Sequence, residues 1–170
     1  MKKIQVIIVI VLGLILTVLL VLNFITNLEM KTEVVFDAPK EEVWNVLTDT
    51  NKYSEWNPFI TSVTGEMKLG AQITNVMVNQ GKENTFSPVI TVFEKYESLE
   101  WLGSGFGGMF KGNHYFRLTV INDGKTKMVH GEKFSGLLSG IIMQMIGKDT
   151  HANFELMNEA MKNRVEEISQ

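Results

Sequence analysis

Ile4 to Leu22 is a run of 19 residues broken only by Gln5, Gly13 and Thr17. As a helix rising about 1.5 Å per residue it is ~28 Å long, close to the hydrocarbon thickness of a bilayer. The run is apolar on every face, which argues against a core helix with one side turned to water. A cleaved secretory signal is the stronger rival, but its apolar region is shorter and small residues mark the cut. Here the exit reads Asn23-Phe24-Ile25-Thr26-Asn27-Leu28, with no Ala-x-Ala pattern. The run is therefore read as a retained transmembrane anchor. That reading makes residues 1–28 a short stub and a single membrane pass, and residues 29–170 one soluble domain. Lys2, Lys3 and the free amine flank one end of the run, and Glu29, Lys31 and Glu33 the other. The positive-inside tendency then places the N-terminus in the cytoplasm and the domain outside it.

Of a net charge of −3, the two lysines of the stub carry +2, which leaves −5 for the domain. A mildly acidic domain lacks the basic face that nucleic acid requires, so no nucleic-acid partner is expected. There is no cysteine, which excludes disulfides, thiolate metal sites and cysteine nucleophiles.

Beyond the anchor, Met30 to Phe36 reads as a strand ended by Asp37-Ala38-Pro39. Lys40 to Thr48 reads as a short helix, with Val43, Val46 and Leu47 on one face and Glu41 and Glu42 in the first turn, where the helix dipole favours acids. Asn51 to Trp56 is a second short helix, stopped at Asn57-Pro58 because a residue before proline avoids the α region. Strands are expected over Ile60–Glu66, Ala71–Val78, Thr85–Tyr96 and Ser98–Leu102, with a turn at Asn79-Gln80-Gly81-Lys82. Gly103 to Gly108 reads as a flexible loop or lid. No helix follows it and it lacks the Lys-Ser/Thr ending of a phosphate-cradling loop. Gly112–Ile121 and Thr126–Phe134 form a hairpin across Asn122-Asp123-Gly124-Lys125, where Asp-Gly is a strong turn signal. Ser139 to Ile168 is a long closing helix with Phe154, Met157, Met161, Val165 and Ile168 at helical spacing, and Gly147 is a place for a bend. The fold class is thus α+β: a curved antiparallel sheet of about seven strands around a long C-terminal helix, with two short helices after the first strand and one transmembrane helix in front. A sheet curved around a helix tends to leave a cavity between them.

Three stretches in this order carry a resemblance: Ala38-Pro39-Lys40-Glu41-Glu42-Val43-Trp44 leading to Tyr53-Ser54-Glu55-Trp56-Asn57-Pro58; Gly112-Asn113-His114-Tyr115-Phe116 with Glu132-Lys133-Phe134-Ser135-Gly136; and Phe154 to Lys162. Together they resemble the SRPBCC superfamily, the helix-grip fold of START lipid-transfer domains, birch-pollen-allergen-like proteins and polyketide cyclases. The resemblance covers about residues 30 to 167. It implies a hydrophobic cavity and an apolar or amphipathic small-molecule ligand, and no cofactor. It transfers no reaction, because this fold hosts transport, sequestration and catalysis alike.

His114, Phe116, Leu118 and Val120 share one face of their strand; Met128, His130, Glu132 and Phe134 share one face of the next. A three-residue connection aligns the two sets, whereas a four-residue one turns one set outward. The resemblance favours Phe134 inward, hence the aligned register. A histidine beside a carboxylate can serve as a general base, so His114, His130 and Glu132 are the catalytic candidates. The bland alternative is a hydrogen-bonded polar pair at a cavity mouth. The spacing of His130 and Glu132 permits zinc without demanding it, and no metal is expected. Trp56, Trp101, His114, Phe116, Leu118, Glu132, Phe134, Met157 and Met161 are the candidate ligand contacts. For Met143, Met145, Met157 and Met161, ordinary core packing competes with an adaptable pocket wall; for Trp44, core is the simpler reading. His151 is expected in solvent. Three functions stand open: a tethered module that binds a lipid-like molecule, a cyclase- or hydrolase-type enzyme built on the His/Glu pair, and a protein-interaction adaptor.

Overall fold

A computed structural model describes residues 2–79 and 81–169; Gln80, in the turn expected after Asn79, lies outside the described residues. Helix α1 (Lys2–Ile25) is long and apolar enough to cross a membrane, and none of its residues is buried. Strand β1 (Glu29–Phe36) follows after a short link, then α2 (Lys40–Thr48), a single tight turn, and the four-residue α3 (Tyr53–Trp56). Pro39 takes an extended conformation before the first turn of α2, and Val43, Trp44, Val46 and Leu47 are buried. The Asn57 carboxamide ends α3 by accepting hydrogen bonds from the N–H groups of Phe59 and Ile60 at 3.0 and 2.9 Å.

Eight strands follow the sequence pattern, one more than the periodicity suggests. β2 (Ile60–Thr64), β3 (Thr74–Asn79) and β4 (Lys82–Phe86) make one antiparallel sheet; β5 (Val89–Glu94), β6 (Ser98–Gly105), β7 (Phe110–Val120) and β8 (Thr126–Ser135) join β1 in the order β1-β8-β7-β6-β5. The β-rich run from Thr85 to Tyr96 is two strands in two sheets, separated at Ser87-Pro88; proline has no N–H for the ladder. Residues 70–73 hydrogen-bond to 88–90 and join the two sheets into one curved surface. Gly103 to Gly105 are not a lid: they pair with Gly112, Lys111 and Phe110, and Phe106 to Met109 form the reversal.

The closing helix α4 (Ser139–Ile168) runs without interruption through Gly147. Its stripe of Met143, Phe154, Met157, Met161 and Val165 is buried, while Ile168 and Met145 are exposed. The opposing wall comes from inward positions of the sheet: Met30, Phe36, Leu99, Trp101, Phe116, Leu118, Met128 and Phe134. These side chains fill the space between sheet and helix. The end of α1 is fastened to the start of α4. Asn23 donates to the Leu137 carbonyl at 2.9 Å and accepts from the Gly140 N–H at 2.6 Å, and Gln144 donates to the Thr26 hydroxyl at 3.0 Å.

Candidate functional site

The β7–β8 connection decides which side chains meet. The Ile121 N–H donates to the Lys125 carbonyl, leaving a three-residue turn, Asn122 to Gly124, closed by Gly124 at φ +75°. Glycine holds that left-handed conformation without strain. The register that results sets His114 opposite Glu132, Phe116 opposite His130 and Leu118 opposite Met128. Both candidate sets therefore face the interior, except that Val120 at the strand end is exposed.

The interior positions hold a continuous polar chain. Glu132 Oε2 lies 3.5 Å from His114 Nδ1, and His114 Nε2 is 3.0 Å from His130 Nε2. His130 Nδ1 meets Asn158 Oδ1 at 2.9 Å, and Asn158 Nδ2 donates to the Thr32 hydroxyl at 2.8 Å. Thr32 in turn donates to the His130 carbonyl at 3.2 Å. His130 is 0% exposed and His114 2%, whereas the Glu132 side chain is 16% exposed and forms the solvent-side end of the chain.

Counting hydrogens along the chain fixes its polarity. Thr32 spends its hydroxyl hydrogen on the His130 carbonyl, so it accepts from the Asn158 amide. The Asn158 oxygen then faces His130 Nδ1, which must carry a hydrogen. Burial holds the His130 imidazole well below its ordinary pKa, the neighbouring His114 pushes it the same way, and the hydrogen bond to Asn158 only partly offsets them. His130 is thus neutral, its Nε2 is a bare acceptor, and His114 Nε2 donates to it. The remaining contact sets His114 Nδ1 3.5 Å from the Glu132 carboxylate.

Aromatic rings enclose it. The Trp101 indole stacks on His114 with ring centroids 4.9 Å apart and 7° between planes. Phe154 stacks on His130 at 4.0 Å and Phe116 stacks on the same ring at 4.5 Å. Gly112 makes room for the carboxylate: a Cβ there would collide with Glu132 Oε1 and stand 3.2 Å from its Cδ. Trp101, His114, Phe116, Leu118, Glu132, Phe134, Met157 and Met161 all belong to this interior. Trp56 does not join the histidine group; it is half-buried with its ring edge on Tyr53, centroids 5.1 Å apart. His151 lies at the surface beside Glu155.

Asn158 and Thr32 complete the chain and Phe154 covers it, and sequence patterning did not single them out as site residues. The signal was present for two of them: Thr32 is the polar member of the inward alternation Met30, Thr32, Val34, Phe36, and Asn158 lies on the buried stripe of α4 between Phe154 and Met161. Where a cavity was expected, Phe116, His130, Phe154, Met157 and Met161 pack to 0% exposure. A solvent-open groove of about 410 Å³ lies beside the site between β1 and α4, lined by Lys31, Glu33, Val34, His151, Glu155, Glu159 and Lys162, with Thr32 and Asn158 also in its wall. The polar chain therefore runs from this groove, through two buried imidazoles, to Glu132.

The structure is similar to the Zhui aromatase/cyclase from Streptomyces sp. R1128, with a TM-score of 0.69 at 15% identity over 84% of this chain and 95% of that one. It is also similar to a START superfamily protein from Mycobacterium smegmatis, with a TM-score of 0.66 at 16% identity over 82% and 98%. A protein of unknown function from Staphylococcus aureus matches with a TM-score of 0.62 at 16% identity over 84% and 96%. At such identities the likeness shows a shared helix-grip fold. No curated protein sequence matches the chain significantly. The family model described as polyketide cyclase / dehydrase and lipid transport matches residues 27–166, which is the whole domain behind α1. The chain belongs to that family, within the SRPBCC superfamily of ligand-binding and cyclase-like domains.

Proposed function

We propose that this protein is a membrane-anchored binding domain for a hydrophobic or amphipathic small molecule, held between the sheet and α4 with its polar end directed at the Glu132–His114 pair. The observation that carries the reading is the partly exposed Glu132 carboxylate beside the buried His114, one short polar chain in a largely apolar interior. Such a group orients a ligand whose remainder is apolar. The interior is filled in this structure, so a ligand displaces side chains rather than filling a void. Met128, Met143, Met157 and Met161 supply unbranched walls that repack at low cost. The anchor supports the reading because apolar ligands partition into the bilayer. With Lys2 and Lys3 inside, the domain faces away from the cytoplasm; protease added to intact spheroplasts then removes it, and full protection reverses the orientation.

Native mass spectrometry and lipid extraction of the full-length protein purified in detergent test the binding function. A reproducible co-purifying apolar molecule, reduced in Glu132→Ala, is expected. Two other readings remain. The filled interior favours an adaptor that presents its surface to a protein, and a consistently empty protein from several purifications would support that in place of ligand binding. The His114–Glu132 pair equips the same site for general acid–base catalysis; turnover unaffected by replacing both histidines would exclude it.

A further inference from the structure

The end of α1 dictates what the domain must touch. Its 24 residues extend ~36 Å, a little more than a hydrocarbon layer of ~30 Å. On the reading that α1 spans a bilayer, Leu22 to Thr26 stand at the boundary between acyl chains and headgroups. Gly140 comes against this segment so closely that a Cβ would lie 2.5 Å from both the Asn23 nitrogen and the Leu22 carbonyl carbon. Together with the Asn23 and Gln144 hydrogen bonds, this puts the first two turns of α4 at headgroup depth. The Leu138 N–H donates to the Met109 carbonyl at 2.9 Å, which brings the β6–β7 tip to the same place.

These elements turn apolar side chains outward. Met145 is 76% exposed and Phe106 66%, and Met109 and Ile141 are exposed beside them. Leu138, Ile141 and Met145 form one stripe of α4, which Lys148 extends by a further turn. Lys111 lies across the tip, its Cε 3.9 Å from where a Gly108 Cβ would stand. Phe106 itself holds φ +51° between two glycines. That conformation suits glycine and strains a phenylalanine, so the chain retains a large apolar side chain at the tip against its backbone preference.

From this we infer that the β6–β7 tip and the first turns of α4 form a second membrane-contact surface, which rests on the reading of α1 as a membrane span. Phe106, Met109, Ile141 and Met145 seat at the acyl–headgroup boundary of the bilayer that α1 crosses, and Lys111 and Lys148 reach lipid phosphates. The domain then lies on the membrane in one orientation instead of swinging on a tether.

The absence of cysteine makes the test direct. Full-length protein carrying a single nitroxide at Phe106→Cys, Met145→Cys, Leu12→Cys or Lys125→Cys is reconstituted in phosphatidylcholine–phosphatidylglycerol vesicles. Accessibility to oxygen and to an aqueous nickel chelate is then compared. Leu12 reports the span, and Lys125 the opposite end of the β7–β8 hairpin, one strand length away. The expected result is a hydrocarbon signature at 12, an interfacial signature at 106 and 145 with several-fold lower nickel accessibility than at 125, and an aqueous signature at 125. A hydrocarbon signature at 12 with labels at 106 and 145 as nickel-accessible as at 125 overturns the contact surface while leaving the span intact. An aqueous signature at 12 overturns the span and the surface with it. Dipolar broadening at 145 that vanishes on dilution with unlabelled protein would assign the patch to a second copy and also overturn the lipid contact.

Discussion

Gly112→Ala, made alone and together with Glu132→Ala, tests whether the glycine exists to seat the carboxylate against His114. Alanine in a strand interior is normally favoured over glycine by roughly 0.5–1 kcal/mol. At position 112 the added methyl collides with Glu132 Oε1, and the other near neighbour, Phe134 Cε1, is at an ordinary 3.5 Å. The carboxylate can swing away, but then His114 Nδ1 loses its partner. Breaking a fully buried ion pair costs about 3–5 kcal/mol. Because the Glu132 side chain is 16% exposed, part of that is recovered from water, and a loss of about 1–3 kcal/mol is expected. After the gain from alanine is subtracted, Gly112→Ala alone lowers stability by roughly 1–2 kcal/mol. In the Glu132→Ala background the methyl meets only Phe134, so the same change is neutral or stabilising by up to ~1 kcal/mol. The coupling, about 1–3 kcal/mol, is read from urea unfolding of the four full-length proteins in detergent micelles, followed by tryptophan fluorescence. Equal costs in both backgrounds would refute the link between Gly112 and the carboxylate.

Two further outcomes follow from the same geometry. The folded imidazole of His130 is held below its ordinary pKa, so as pH falls through about 6.5 the unfolded chain takes up a proton that the folded chain refuses. Stability is then lost at up to ~1.4 kcal/mol per pH unit until the folded group itself titrates; His130→Gln removes that contribution to the slope between about pH 6.5 and 5, and an unchanged slope would place the titration elsewhere. Along α4, Gly147→Ala meets only the flexible Met143 Cε at 3.0 Å, whereas Gly140→Ala meets the backbone of Leu22 and Asn23. Gly147→Ala therefore keeps most of the usual helix gain of up to ~1 kcal/mol, and Gly140→Ala lowers the melting temperature in micelles and speeds proteolysis between α1 and β1; two substitutions of the same sign would refute the close α1–α4 contact.

Elements bounded by local chemistry were legible in the sequence, and those decided by distant partners were not. α2 spans Lys40–Thr48 and α4 spans Ser139–Ile168, as proline, acid placement and apolar spacing indicate. The β7–β8 register follows from one three-residue turn, and it brings His114 and Glu132 face to face. The Gly103–Gly105 segment reads as loop because glycine weakens a strand, yet its pairing with β7 overrides that preference. The break at Ser87-Pro88 was masked by apolar residues on both sides. Spacing shows which face of α4 is buried but not how deeply Phe154 enters, so a filled interior was not legible where a cavity was expected. Asn158 escaped notice because an asparagine on a helix is ordinarily assigned to the wet face, and only its hydrogen bonds to His130 and Thr32 explain its burial.

Packing alone gives no reason for the polar chain. Two imidazoles, a carboxamide and a hydroxyl buried together each forgo hydrogen bonds with water, and the bonds they regain bring little net stability. Removing any one member strands its neighbours, at about 1–3 kcal/mol for each unsatisfied group, which makes the set all-or-none. Replacement of the whole set by apolar side chains of similar size would leave the interior at least as stable, as it does for many buried ion pairs. The family's fold needs a filled or fillable interior at these positions, and apolar residues meet that need at Phe116, Met128 and Met157 nearby. The histidines are therefore best understood through what they do to Glu132. They hold an imidazole 3.5 Å from its carboxylate, at the most exposed member of the chain, where a ligand's polar end can reach it.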